Sequence, residues 1–370
     1  MGRLGFGYQI QTIASLSPTL RALFGLDYAA IGTLIGLYLA AGIAIALPIG
    51  LIARATGDRA VVACGLVLMA AGCVVSALAA GPVGIGAGRV IAGVGAVTIV
   101  VLQGKIVADW FPGRRFMPAV SISLSAYPVG VGLAQWTQVP LAHAFGWQAA
   151  FLAGTVPALL GAAGFLAGYR TPPDMPPRGR FAWPSPREIL LVAVAGTIWT
   201  FYNAGYMGFL SYVPALLSGR GLGDGRIGLV MGLATLLNVP AMFAGGWIAA
   251  RTGRIPMFIA GAAMMSLSIA GIAYGGPPEA WAVVFGFLGA LHPSIIIAAG
   301  TLSARPENRA IALGFFYTTY YAGGSVVPAI CGRAADAYGS PDGALYAAAT
   351  LSLLCAPLFF AHRALERRLG

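Results

Sequence analysis

Arg89 makes the strongest chemical statement in this chain. It lies inside an apolar run, residues 82–108, past its first turn. An arginine there is costly unless it faces protein or a watery cavity and finds a partner. A structural ion pair or a clamp on backbone carbonyls is the competing reading. No Asp or Glu lies at such depth, since Asp58, Asp109, Asp224 and Glu279 all fall near the ends of apolar runs. His292, beside the helix-breaking Pro293, is therefore the remaining group that titrates near neutral pH. A packing histidine satisfied by its neighbours explains it equally well. The other polar groups gather on helical faces: Tyr8, Gln11 and Ser15 with Gln9 adjacent, Trp199, Asn203 and Tyr206 with Tyr202 beside them, and Tyr317, Tyr320 and Tyr321. Hydrogen-bonding side chains in hydrocarbon are expensive unless they face protein or water, so the pattern points to a polar vestibule ringed by aromatics. Helix–helix packing is the simpler role for any one of them taken alone. The sequence offers no phosphate-cradling Gly-Lys-Ser loop, no cluster of zinc ligands and no nucleophile with a base partner, hence nothing for direct ATP use, metal binding, a cofactor or enzymatic chemistry.

The elements that hold these residues follow from composition. Charged residues make up 9% of the 370, against roughly 25% in soluble domains, and hydrophobic residues 58%. The solvent is mostly lipid. At about 20 residues per span there is room for twelve helices, and apolar runs fall at residues 1–23, 28–53, 60–80, 82–108, 116–141 and 147–169, then 186–217, 226–250, 255–274, 279–302, 309–332 and 344–362. Between the sets, residues 170–185 are rich in proline and arginine and read as a linker. The expected organisation is a six-helix half over residues 1–169, the linker over 170–185, and a second half over 186–370. The runs are too long and too uniformly apolar for barrel strands. Cys64, Cys73, Cys331 and Cys355 sit in apolar surroundings without metal-ligand spacing and read as small packing residues.

The two halves repeat. Gly50-Leu-Ile-Ala-Arg-Ala-Thr-Gly57-Asp58-Arg59 returns as Gly246-Trp-Ile-Ala-Ala-Arg251-Thr-Gly253-Arg254, at an offset of 196 that also aligns Ser15, Pro18, Gly25, Gly32 and Gly36 with Ser211, Pro214, Gly221, Gly228 and Gly232. Parallel repeats of this kind are a transporter architecture. The offset places the counterpart of Pro186 about ten residues before Met1, so the first helix is expected to be truncated at its N-terminus, with a start upstream of Met1 favoured over a short first span. With both termini on one side, that side collects fifteen arginines, among them Arg54, Arg59, Arg251, Arg254 and Arg309, while the other keeps Arg21, Arg220, Arg226 and Arg333. Both termini are then cytoplasmic, and the glycine turns are cytoplasmic loops. The net charge of +11 therefore reads as orientation rather than nucleic-acid binding. Gly50 and Gly57 would let helices join tightly and a neighbour approach closely. Asp58 would start the third span, where a carboxylate suits a helix N-terminus, and pair across the halves with Arg309 as an asymmetric inner gate; a purely topological role for this basic loop is the alternative.

Two parallel six-span halves, the repeated Gly-x6-Gly-basic loop, and Arg89-x-x-x-Gly93-x-Gly95 together resemble the major facilitator superfamily of secondary transporters. Residues 107–115, Val-Ala-Asp-Trp-Phe-Pro-Gly-Arg-Arg, with the first-helix Gly-Phe-Gly-Tyr-Gln-Ile-Gln, are similar to the cyanate and nitroimidazole permease-like branch. The resemblance implies an all-α membrane fold of two six-helix bundles in the inner membrane, working as a monomer by alternating access with the solute site between the halves. It implies that spans one, four, five, seven, ten and eleven line the cavity, with Tyr8, Gln9, Gln11, Arg89, Tyr127, Trp199, Tyr202, Asn203, Tyr206, His292, Tyr317 and Tyr321 as solute-binding candidates. It also links the arginine motif of span four to proton coupling; a counter-substrate is the other option. The chain departs from the family where the loop's usual Asp is replaced by Arg54 and Ala250, and Tyr127-Pro128-Val129-Gly130-Val131-Gly132 keeps only part of the antiporter pattern. With Arg89 as the one fixed charge, a small anion or weak organic acid is the expected solute. A neutral or aromatic molecule is the alternative, and a non-transporting sensor is the reading from another class.

Overall fold

The computed structural model describes residues 1–111, 116–170, 183–305 and 309–369, with the backbone alone for residues 54, 108, 116–118, 120, 121, 246, 250, 309, 310 and 369. Its helices group into twelve successive runs: Gly2–Ser15 with Ser17–Phe24, Tyr28–Ile45 with Pro48–Thr56, Asp58–Ala77, Pro82–Trp110, Phe116–Phe145, and Trp147–Ala153 with Thr155–Gly168 as spans one to six. Pro186–Gly219, Asp224–Leu236 with Asn238–Thr252, Arg254–Ala273, Pro278–Val283 continuing through a π-turn to Pro293–Leu302, Arg309–Tyr338, and Pro341–Leu353 with Cys355–Leu369 are spans seven to twelve. Nine of these runs are long and apolar enough among the described residues to cross a membrane. The other three, spans one, five and eleven, carry several of the tyrosines and glutamines singled out above. Six runs are broken, at Leu16, Leu47, Gly154, Leu237, residues 289–292 and Leu354, and each break precedes a proline by one to three residues: Pro18, Pro48, Pro157, Pro240, Pro293 and Pro357. The cause is the missing proline N–H and the clash of its ring with the carbonyl one turn earlier.

The chain divides into two compact units. The first, Met1–Thr12 with Leu37–Ala182, holds the start of span one, most of span two, and spans three to six. Its helices meet backbone to backbone: a Cβ on Gly7 would overlap the Tyr127 carbonyl, one on Gly130 the Leu4 carbonyl, and one on Gly93 the Tyr38 carbonyl. Such close approach is how helices pack where lipid supplies no hydrophobic drive between them.

The second unit, Ile13–Gly36 with Trp183–Gly370, takes in the end of span one, the turn after it and the start of span two, together with spans seven to twelve. Asp336 near the end of span eleven accepts the backbone N–H groups of Tyr28 and Ala29 at 2.9 and 2.8 Å, so a carboxylate sits on the N-terminus of span two. The Arg21 guanidinium lies 3.4 Å from the centroid of the Tyr28 ring. The Tyr212 hydroxyl donates to the Pro328 carbonyl at 3.2 Å.

Candidate functional site

The Gly50 loop is not a loop. Ile-Ala-Arg-Ala-Thr contains no helix breaker, and Gly50 and Gly246 lie inside the helices Pro48–Thr56 and Asn238–Thr252. Among the described residues nothing lies within 4 Å of a Cβ built on Gly50, so they make no close helix approach there. The turn is a single residue in each copy, Gly57 at φ 90° and Gly253 at φ 88°, a left-handed conformation that costs a side-chain-bearing residue steric energy. Asp58 and Arg254 then open spans three and nine.

Asp58 is 7% exposed, and its partner is Lys105 of span four, whose Nζ is 2.5 Å from Asp58 Oδ2. Lys105 also pairs with Asp109 one turn on, at 3.2 Å, and the Tyr169 hydroxyl donates to Asp58 Oδ2 at 3.4 Å. Asp58 Oδ1 has no hydrogen-bond partner. The expected pairing with Arg309 lies outside the described side chains; the carboxylate is held within its own unit by the only lysine in the chain. Lys105 was legible as the first member of an i,i+4 pair with Asp109, but its reach to Asp58 needed the packing of span three on span four. Arg59 donates to the Leu166 carbonyl and so closes the C-terminal end of span six. Arg251 lies 3.5 Å from the centroid of the Trp247 ring. Burial and the Asp58 carboxylate push the Tyr169 phenol up to about 12.

Arg89 is 2% exposed and faces the interior of the first unit. Its Nη1 donates to the Gln9 carbonyl at 2.5 Å, and its guanidinium stands 4.1 Å from the centroid of the Tyr38 ring. Gln9 is buried beside it: its Nε2 donates to the Gly154 carbonyl at 2.9 Å and its Oε1 accepts from the Tyr38 hydroxyl at 3.1 Å. Arg89, Gln9 and Tyr38 thus tie spans one, two, four and six together. Tyr8 shares a hydrogen bond with Thr137 at 2.8 Å, and Gln138 donates to the Tyr8 carbonyl and the Thr12 hydroxyl. Gln11 is also buried, and Tyr127 is half-buried with its ring 5.3 Å from Phe6. Tyr38, Thr137 and Gln138 did not stand out in the sequence. Their only signal is polar character on an apolar span.

In the second unit the aromatic candidates meet. Trp199 and Tyr202 stack at 5.2 Å, and Tyr202 stacks on Tyr206 at 6.3 Å. Tyr320 meets Trp199 edge-on at 6.4 Å and carries the array to Tyr321, which stacks on Tyr317. Asn203 donates to the Trp199 carbonyl at 2.8 Å, and the Trp199 ring is half-exposed. His292 closes the array with its ring 5.1 Å from Tyr202. Spans seven, ten and eleven therefore build one wall of phenols, an indole and an imidazole. Its chemistry is stacking plus a few hydrogen bonds.

No curated protein sequence matches the chain. Among solved structures, the inward-open xylose transporter XylE from E. coli superposes with a TM-score of 0.79 at 16% identity, over 97% of this chain and 93% of that one. The partially occluded inward-open form of XylE gives 0.74 at 18% identity over 97% and 96%. A D-xylose–proton symporter gives 0.72 at 18% over 96% and 94%. These are likenesses of fold. The Major Facilitator Superfamily model matches residues 2–328, nearly the whole length of a multi-pass helical chain with the repeated glycine turn, and the protein belongs to that superfamily.

Proposed function

We propose that the protein is a secondary active transporter that moves a compact organic solute across the cytoplasmic membrane by alternating access, with both termini cytoplasmic. The solute is a weak organic acid or a neutral molecule with a planar aromatic face. The observation that carries this reading is the wall from Trp199 through Tyr202 to Tyr206, with Tyr320 edge-on and Asn203 beside it. Planar π surfaces stack there, and phenols, amide and indole N–H offer hydrogen bonds to a carboxylate or a neutral polar group. The case for a simple inorganic anion rested on Arg89 as a charge in the cavity. Its guanidinium on the Gln9 carbonyl and the Tyr38 ring supports a packing role for that charge within the first unit. The likeness to the cyanate and nitroimidazole permease-like branch supports small planar solutes through the motif over residues 107–115. The xylose named for the neighbouring structures is their solute, and likeness at this identity supports the fold alone.

The test is counterflow in proteoliposomes, using labelled 4-hydroxybenzoate, cyanate and D-xylose in parallel, with protein-free vesicles as background. The aromatic acid should exchange, and Trp199→Ala should raise its half-saturation about tenfold, the worth of one stacked ring at about 1–1.5 kcal/mol. Exchange of cyanate or xylose without the aromatic acid would reject the solute class. Thermal stabilisation by 4-hydroxybenzoate without any flux would favour a sensor.

A further inference from the structure

His292 has a property that the wall around it does not require. It is 1% exposed, and neither ring nitrogen makes a hydrogen bond of good geometry; the backbone of Gly289 offers the ring a weak one. Buried polar groups are paired in the great majority of cases, and each unpaired one costs free energy that something else must offset. The surroundings hold the ring and, among the described residues, give it no side-chain hydrogen-bond partner. Phe258 of span nine stands edge-on at 5.2 Å and Tyr202 of span seven edge-on at 5.1 Å. Gly261 of span nine makes the room: a Cβ there would come within 2.6 Å of His292 Nδ1. From span eight, Gly245 abuts the neighbouring Leu291. The titratable groups facing the site are the Tyr202 phenol and, one turn on, that of Tyr206, and among the described residues no charged side chain acts on the ring. An imidazolium has no counter-charge here, so the ring is neutral in this conformation.

The backbone at the same place is irregular. Span ten runs as α-helix to Val283, as a π-turn over Val284–Leu288, then breaks before Pro293. Single π-turns inside α-helices are frequent at functional sites.

We infer that His292 is the proton-binding residue of the transport cycle. In this conformation it is dry and neutral. When span ten shifts at its π-turn and water reaches the ring, one ring nitrogen's lone pair takes a proton from water, and the same proton is returned to water when the ring is buried again. Its ring contact with Tyr202 links that charge to the solute wall, because an imidazolium cannot return to the Phe258–Tyr202 slot until the proton leaves. This deepens the transport reading and rests on it.

The test has two arms. The first is the rate of 4-hydroxybenzoate exchange in proteoliposomes at equal internal and external pH from 5.5 to 8.5, where no pH gradient acts on the probe. The wild-type rate should change about tenfold with an inflection in that range, and whatever rate His292→Gln retains should change less than twofold across it. A His292→Gln rate that keeps the wild-type inflection overturns the proposal, as does a flat wild-type profile. The second arm needs no solute: 15N-histidine NMR of the His143→Gln/His362→Gln protein in nanodiscs, with the single variants identifying the signal by difference if the double variant expresses poorly. A His292 ring that takes up a proton between pH 8 and 5 supports the inference. A ring neutral throughout overturns it, whatever the flux arm gives. Titration of His292 with no exchange of any probe would reject the transport reading instead.

Discussion

Removing Lys105 should expose the cost of the carboxylate it neutralises. In the Lys105→Met variant the aliphatic stem remains and the ammonium goes, leaving Asp58 at 6% side-chain exposure with an unpaired Oδ1 and only a 3.4 Å contact from Tyr169 on the other oxygen. Breaking a fully buried pair from one side costs about 3–5 kcal/mol, because an uncompensated charge is left behind. Lys105 is 37% exposed, so water screens part of that interaction, and about 2 kcal/mol is the reasoned figure. Asp58→Asn removes the charge from the other side and should cost less, since a neutral amide tolerates burial better. In the double variant the two losses should not add: the coupling should be about 1–2 kcal/mol. Thermal unfolding in nanodiscs, followed with a thiol-reactive dye, gives the four corners of the cycle. At about 2–4 °C per kcal/mol for a unit of this size, Lys105→Met should melt about 4–8 °C below wild type. A Lys105→Met protein as stable as wild type, or coupling below about 0.5 kcal/mol, would refute the argument and return Asp58 to a partner in the other half of the chain.

Three further expectations concern other positions. Because the folded Tyr169 phenol is raised to about 12 by burial and Asp58, its contribution is fully present below the ordinary tyrosine value near 10 and is lost as pH rises through about 12; Tyr169→Phe should flatten stability over that alkaline window in the same melts. Gly93→Ala should destabilise by about 2 kcal/mol or more because its Cβ would enter the Tyr38 carbonyl, whereas Gly50→Ala, in an equally helical but open position, should be neutral or gain about 0.5–1 kcal/mol; paired melting curves decide, and equal effects would contradict the packing. Asp336→Asn keeps the shape of the cap on span two but loses its charge, and should cost about 1 kcal/mol and speed hydrogen exchange at the Tyr28 and Ala29 amides.

Composition alone determined that this chain lives in lipid, since 9% charged residues cannot clothe a water-soluble body of 370, and the apolar runs marked twelve helical stretches, nine of them long and apolar enough among the described residues to cross a membrane. The repeat determined the turn at Gly57 and Gly253, because a left-handed backbone selects glycine wherever it recurs. Proline marked where spans break, but not whether they do: Pro128, Pro140, Pro214 and Pro328 stand inside continuous helices while six others end them. Neighbouring helices decide that, by accepting or refusing the freed backbone groups. The same holds for the charged side chains. Arg89 was visible as an expensive arginine, yet its contacts with Gln9 and Tyr38 were not, because those residues lie 80 and 51 residues away in sequence and touch it only after spans one, two and four pack. Asp58 was visible at the head of span three, but its partner was set by which helix face turned toward it, and that face carried Lys105. His292 was readable as titratable; that its ring would be buried with neither nitrogen in a hydrogen bond of good geometry is a property of the slot between Phe258 and Tyr202, formed by three spans that are distant in sequence.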